Sequence, residues 1–342
     1  MKKAFLFAAM VAAIFSSCNK EVVSTEPVIG NDGEISLSIV VPQVVSKATS
    51  VTAAGEKTVN TLQVFIFRDD TNKALDACAM ESGNSVNIKC STGGRRIYAL
   101  VNAPDIRTSV SCEADLLAST TLLTDNTSPT NLVMIGSVDK TISVPGETIN
   151  IEVKRVASSI EIKKISTNFV SSAISQGTFT IKGIYLLNVN GKNNYALNAP
   201  ATEDTYWYNR LNKNTNSFTT AGIVSDLNMT EVISASKAYD KAHTFYAYPN
   251  SHAYLNNGTW SLRSTMLCVE AEFLAKGTSN PITYYYPIAI ENIESNKKYI
   301  IPELVIQRLG SEDPSTEVSF ADCSFSVTVK DWDEIYMSSE TI

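Results

Sequence analysis

The 342-residue chain carries 18% charged residues, 8% aromatic residues and a net charge of -7. That balance excludes a nucleic-acid binder, which would cluster Lys and Arg on a basic background. Two histidines, His243 and His252, starve most acid–base and metal chemistry, and the chain has no GxSxG elbow, HExxH, P-loop or GxGxxG.

The N-terminus reads as an export signal. Lys2 and Lys3 are followed by the apolar stretch Ala4–Phe15 and then by Phe15-Ser16-Ser17-Cys18. A bilayer crossing takes about 20 apolar residues, so this shorter run is a signal to be removed. In a bacterial lipobox Cys18 is acylated and becomes the first mature residue; in an ordinary secretory signal it is discarded. Ser16 and Ser17, directly before Cys18, favour lipidation. Residues 19–33 are polar and irregular, a tether ahead of the first strand.

From there the hydrophobic period is almost everywhere two, the mark of strands with one buried face. Ile35, Leu37, Ile39 and Val41 alternate with Glu34, Ser36, Ser38 and Val40. Residues 42–58, with Pro42, Ser46-Lys47-Ala48 and Gly55, read as an exposed linker, which places Lys47 in an easily nicked segment. Leu62, Val64 and Ile66 resume the alternation, followed by Val86, Ile88 and Cys90, and by Ile97, Ala99 and Val101. Turn signals such as Ser82-Gly83-Asn84, Thr92-Gly93-Gly94 and Pro145-Gly146 separate them. Helix is scarce; the spacing predicts one over Cys112–Thr120, capped by Ser111, with Glu113 and Asp115 in its first turn.

Between Thr148 and Ile165 the inward phase changes. Ile149, Ile151 and Val153 are odd-numbered, whereas Val156, Ile160 and Ile162 are even. A slip of one exchanges the two faces of a strand, so a bulge or a change of sheet, and with it the domain boundary, is predicted near Arg155-Val156-Ala157. The second half continues with Phe179 and Ile181, with Leu267, Val269, Ala271 and Phe273, and with Ile300, Leu304 and Ile306. Near the end, Cys323, Phe325, Val327 and Val329 share one phase. Short strands at this density predict an all-β sandwich fold.

Five cysteines follow Cys18, with no disulfide framework and no CxxC metal pattern. Cys323 is expected to pack as a small hydrophobe, Cys268 to lie on a polar face with Glu270 and Glu272, and a Cys78–Cys90 bridge is allowed. Asp331-Trp332-Asp333-Glu334 lacks the spaced ligands and glycine of a calcium loop. Thr205-Tyr206-Trp207-Tyr208-Asn209 and Tyr284-Tyr285-Tyr286 would serve either as packing or as a stacking platform for a glycan. Neither a catalytic residue, nor a metal, nor a cofactor is expected.

Several stretches together resemble the fimbrillins of type V pili, the lipoprotein-derived major and minor fimbrial subunits. They are Leu62-Gln63-Val64-Phe65-Ile66-Phe67, Arg96-Ile97-Tyr98-Ala99-Leu100-Val101-Asn102-Ala103, Met134-Ile135-Gly136-Ser137 and Lys154-Arg155-Val156-Ala157 before Ile160-Glu161-Ile162. Phe245-Tyr246-Ala247-Tyr248-Pro249-Asn250 and Val327-Thr328-Val329-Lys330-Asp331-Trp332 complete the set. The resemblance implies two transthyretin-like β-sandwich domains in tandem. It also implies export by signal peptidase as an outer-membrane lipoprotein, and removal of the first strand by an Arg/Lys-specific surface protease. A C-terminal strand from another copy or a related pilus subunit then fills the vacated groove. The family's cleavage position falls on Lys47-Ala48.

The expected organisation is therefore a signal peptide over 1–18, a propeptide with the removable strand over 19–47, and sandwich domains over 48–156 and 157–342. The candidate donor strand spans 323–332. Period-two alternation in both Ile35–Val41 and Cys323–Val329 would let the two occupy one groove in turn; the other reading makes both ordinary core strands of one monomer. A pilus subunit that supports adhesion is the expected function. The alternative is a monomeric surface lipoprotein or a tip adhesin binding a glycan or protein receptor on host or bacterium.

Overall fold

The computed structural model describes residues 34–41, 55–198, 207–211, 223–250, 264–290, 292–316, 323–324 and 326–332. Cys18, Lys47, Ala48, His252 and Phe325 lie outside the described residues.

The first half builds β1 (Glu34–Val40), β2 (Thr61–Arg68), β3 (Leu75–Ser82), β4 (Ser85–Ser91), β5 (Gly93–Val101), β6 (Thr120–Leu122), β7 (Met134–Ile142), β8 (Thr148–Asn150) and β9 (Lys154–Arg155). They form a three-stranded sheet ordered β4-β1-β8 and a five-stranded sheet ordered β3-β2-β5-β7-β9. The alternation of β1 is realised in full: Ile35, Leu37, Ile39 and Val41 are buried and Glu34 and Ser36 are exposed. Ile35, Leu37 and Ile39 oppose Cys90, Ile88 and Val86 on antiparallel β4. The inward row packs on Leu62, Val64, Ile66, Ile97, Ala99 and Val101 of the larger sheet to make one core. Burying a row of this kind is the dominant favourable term in holding two sheets together.

β2 and β5 carry more than the alternation predicts. Phe65, Phe67, Tyr98 and Leu100 point to the opposite face and are buried as well. A strand covered on both faces reads as a continuous apolar run, which is why Val64-Phe65-Ile66-Phe67 has no polar member. These residues open a second, larger core that runs on through Ile160, Ile181, Phe245 and Tyr299 of the second half.

The second half contributes β10 (Ser158–Ile162), β11 (Ile165–Thr167), β12 (Thr178–Leu187), β13 (Val189–Asn190), β14 (Lys192–Asn194), β15 (Trp207–Tyr208), β16 (Ser225–Ile233), β17 (His243–Ala247) and β18 (Met266–Leu274). It continues with β19 (Ile282–Ala289), β20 (Lys297–Ile301), β21 (Leu304–Ile306), β22 (Cys323–Ser324) and β23 (Thr328–Asp331). Sheet orders are β17-β10-β20-β23, β11-β21-β22 and β16-β12-β18-β19, with β13-β15 and β14-β6 as pairs. The chain changes sheet where the phase changes: Arg155 opposes Met134, and Ser158 opposes Ala247. Besides the β14-β6 pair, the halves share a buried polar knot in which Tyr248 Oη donates to the Leu122 carbonyl and accepts from Asn126 Nδ2 at 3.0 Å.

Three expectations need correction. Cys268 is not on a polar face but fully buried, packed with Tyr185, Leu187 and Met266. β18 is covered on both sides from Met266 to Val269, and its polar alternation begins only at Glu270. Burial pushes the Cys268 thiol up to about 12, where it stays protonated. The stretch 42–58 is not exposed to its end, because Glu56 is buried. The helix runs over Glu113–Ala118 with Cys112, not Ser111, at its N-cap. The Asp115 carboxylate accepts from the backbone N–H groups of Ser111 and Cys112, which sets the start one residue later. Cys78 and Cys90 are free thiols.

Candidate strand-exchange site

β1 lies between two strands, so its backbone is held from both sides. It pairs in parallel with β8 through Ser38↔Thr148, Ile39↔Ile149 and Val40↔Asn150. The stitching continues past both ends: Gly146 N donates to Ser36 O at 2.8 Å, Ile151 N to Val40 O at 3.0 Å, and Val41 N to Asn84 O at 2.9 Å. The polar side chains of β1 add little, since the Lys89–Glu34 pair is 3.8 Å long and exposed. β1 is thus a complete core strand held by alternating apolar residues and a two-sided ladder. Without it, β4 and β8 would flank an apolar slot lined by Val86, Ile88, Cys90 and Ile149.

The candidate donor segment sits elsewhere. Cys323 is buried in the larger core, as expected, and pairs with Ile306 through β22 and β21. Val327 is half-buried against the same core. β23 runs antiparallel to β20 through Lys297↔Asp331, Lys298↔Lys330, Tyr299↔Val329 and Ile300↔Thr328. The structure therefore keeps β1 and the candidate donor in different sheets. The C-terminal strand closes the edge of its own half.

Trp332, half-buried and one residue past β23, joins a buried cluster. Its indole Nε1 donates to Glu56 Oε2 at 2.8 Å, and Tyr246 Oη donates to Glu56 Oε1 at 2.9 Å. The Trp332 ring stacks on Tyr246 with centroids 5.8 Å apart and planes 11° from parallel. The Arg155 guanidinium lies 4.5 Å over the same ring, an attraction between cation and aromatic face. Arg155 Nε and Nη2 both donate to the Glu56 carbonyl, at 3.0 and 2.9 Å. Asn296 ties the group together, accepting from Arg155 N through Oδ1 and from Trp332 N through its carbonyl. Burial, reinforced by the Glu56 carboxylate, holds the Tyr246 hydroxyl well above the ordinary phenol range, so it stays a donor. The alternation pattern missed Glu56 and Trp332. The available signal was a lone tryptophan inside the acidic run 331–334.

The other candidate residues serve packing. His243 Nδ1 lies 2.9 Å from Asp226 and Nε2 lies 2.6 Å from Tyr239 Oη. Burial lowers its pKa against the opposing pull of Asp226. Trp207, Tyr208 and Tyr286 are buried, and Tyr284 and Tyr285 are half-buried, so the described parts of both aromatic runs present no exposed ring stack. Tyr286 Oη donates to Arg308 O and accepts from Gly310 N, each at 2.9 Å. Among the described residues no group of three or more His, Cys, Asp or Glu could hold a metal ion.

The chain is all-β, with a complete first strand slotted between two neighbours. Residues 34–168 match the family model described as Major fimbrial subunit protein (FimA), and the resemblance to the fimbrillins read from the residues is borne out. A relative named Major fimbrium subunit FimA type-2, from Porphyromonas gingivalis, is 25% identical over 86% of this chain and 84% of its own length. Among solved structures, a fimbrilin from Porphyromonas gingivalis superposes with a TM-score of 0.60 at 15% identity, covering 87% of this chain and 97% of that one. A Bacteroides eggerthii protein assigned to cell adhesion gives a TM-score of 0.62 at 21% identity, covering 89% and 98%. At these identities the structural likeness shows the fold. The relatives' names describe fimbrial subunits and adhesion proteins rather than enzymes.

Proposed function

We propose that this chain is a structural subunit of a cell-surface pilus that supports adhesion. In this reading it is made as a lipoprotein precursor acylated at Cys18, loses β1 by cleavage after Lys47, and polymerises with copies of itself or related subunits by strand exchange. The observation that carries the reading is β1 itself. Ile35, Leu37, Ile39 and Val41 fill a slot between β4 and β8, and the strand lies at the N-terminal side of the segment containing Lys47. At about 1.5–3 kcal/mol per buried aliphatic, refilling the four positions contributes roughly 6–12 kcal/mol gross. That is enough for a durable joint once ordering costs are met.

The donor is the stretch Cys323–Trp332, with Cys323, Phe325, Val327 and Val329 in the phase the slot accepts. Donation requires that stretch to leave β20 and β21 of its own half. The proposed units are a sandwich over 48–156 and a second over 157–342, meeting where the chain changes sheet.

N-terminal sequencing of protein sheared from cells tests the reading. Mature polymer that begins at Ala48 supports it; polymer that still carries Glu34–Pro42 overturns it.

A further inference from the structure

The end of the candidate donor strand is fastened by something other than its ladder. β22 has two residues and β23 four, and short pairings at a sheet edge open readily. Trp332 adds contacts of a different kind. Its N–H meets a buried carboxylate, and its ring contacts both Tyr246 and the Arg155 guanidinium. The carboxylate belongs to Glu56, 276 residues earlier in the chain.

The chemistry of Glu56 makes this fastening costly to open. The side chain is buried, and its two oxygens accept hydrogen bonds from Trp332 and from Tyr246. Withdrawing the indole leaves Oε2 without that donor in a site where an unmet charged acceptor is costly. The ring stack, the cation contact and the Trp332 N–H to Asn296 O bond break in the same motion. Connected polar contacts of this kind reinforce one another. On the other side, the two Arg155 bonds to the Glu56 carbonyl hold the acceptor in place while the strand moves.

We propose that Glu56 and Trp332 form a clasp that holds the C-terminal strand on its own chain and governs how readily that strand leaves. The purpose assigned to the clasp rests on the donor-strand reading; its existence rests on the geometry. In that context the clasp keeps a monomer's donor strand covered, so that premature pairing with a second copy is suppressed. Its position also ties the C-terminal strand to the stretch that follows the proposed cleavage point.

Amide hydrogen exchange on the monomeric, uncleaved chain tests the clasp. Glu56→Gln replaces one acceptor oxygen by a donor NH₂, and Trp332→Phe keeps a stacked ring but removes the N–H. Each is expected to speed exchange across β23 and its partner β20 by about tenfold, equivalent to about 1.4 kcal/mol. β1 and β5 should exchange as before. The double variant should exchange no faster than the faster single, because both changes act on the same bond. Unchanged exchange in β23 would overturn the clasp, and so would acceleration spread equally to β5. Should Glu56→Gln not fold, Trp332→Phe alone decides. The donor reading fails separately: polymer formed by a chain ending before Cys323 would sink it while the exchange result stands.

Discussion

Ile66 and Phe67 are neighbours on β2, both fully buried, yet they belong to different cores. Successive side chains on a strand point to opposite faces. Ile66 packs with β1, while Phe67 lies 6.3 Å from Phe65 in a parallel stack and meets Tyr98 edge-on at 5.9 Å. β2 is thus the wall between the core that holds β1 and the core that continues into the second half.

Ile66→Ala and Phe67→Ala should therefore cost similar free energy but loosen different regions. We expect about 2–5 kcal/mol for the first and about 3–5 kcal/mol for the second. In hydrogen exchange, Ile66→Ala should open β1 and β4 first. Phe67→Ala should open β10 and β17, whose Ile160 and Phe245 share its core. Identical exchange patterns would mean that the two cores melt as one.

That wall also explains what was legible in the sequence. β1 and β4 each have a solvent face, so Ile35, Leu37, Ile39, Val86 and Ile88 stood out by alternation. On β2 and β5 the second buried face erased the contrast, and Phe65, Phe67 and Leu100 gave no sign of a second core. The same double covering hid Cys268. The reversal of phase between Val153 and Val156 was readable because period two admits no slip without exchanging faces. The Glu56–Trp332 bond was not readable, since no local pattern links residues that only the finished topology brings together.

Gly136 gives the resemblance motif Met134-Ile135-Gly136-Ser137 a physical reason. A Cβ on Gly136 would meet the Glu152 carbonyl oxygen at 1.9 Å and its carbon at 2.8 Å, both backbone atoms with little freedom to yield. Gly136→Ala should push the Glu152–Arg155 stretch off β7 at about 1–3 kcal/mol, the usual cost of overpacking. Because Arg155 is carried on that stretch, tryptophan fluorescence should report a changed Trp332 environment as well as a lowered urea midpoint. A variant as stable as the parent would show that β7 can shift.

Asp76 should make the first half acid-sensitive. Burial raises its carboxyl pKa, but the Ser91 N–H and the Arg95 guanidinium outweigh that and hold it below the ordinary 3.8. The two donors lie 2.9 and 3.0 Å from Oδ2. With the folded value depressed, the contribution is fully present above the unfolded pKa and is lost as pH falls through the folded one. Urea midpoints measured from about pH 6 down to about pH 2 should fall most steeply below that unfolded value. Asp76→Asn should be weaker by about 1–3 kcal/mol at neutral pH, and its curve should converge with the parent's in acid. Parallel curves would assign the acid sensitivity to other carboxylates.

Leu37 and Ile88 together test whether β1 leaves the chain before assembly. They face each other across the β1–β4 ladder and are both buried in the same core. In the uncleaved chain, Leu37→Ala and Ile88→Ala should each cost about 2–5 kcal/mol, the range for deleting a buried aliphatic side chain. If β1 is removed before assembly, the mature polymer contains no Leu37. Polymer grown from Leu37→Ala should then match the parent in the temperature at which its joints dissociate. Ile88→Ala should lower that temperature, because β4 remains to line the slot the incoming strand fills. Unfolding of the purified precursors and dissociation of sheared polymer on heated gels give the two readings from the same pair of variants. Leu37→Ala polymer that falls apart as early as Ile88→Ala polymer would show that β1 is retained at the joint, and the exchange of strands would have to be abandoned.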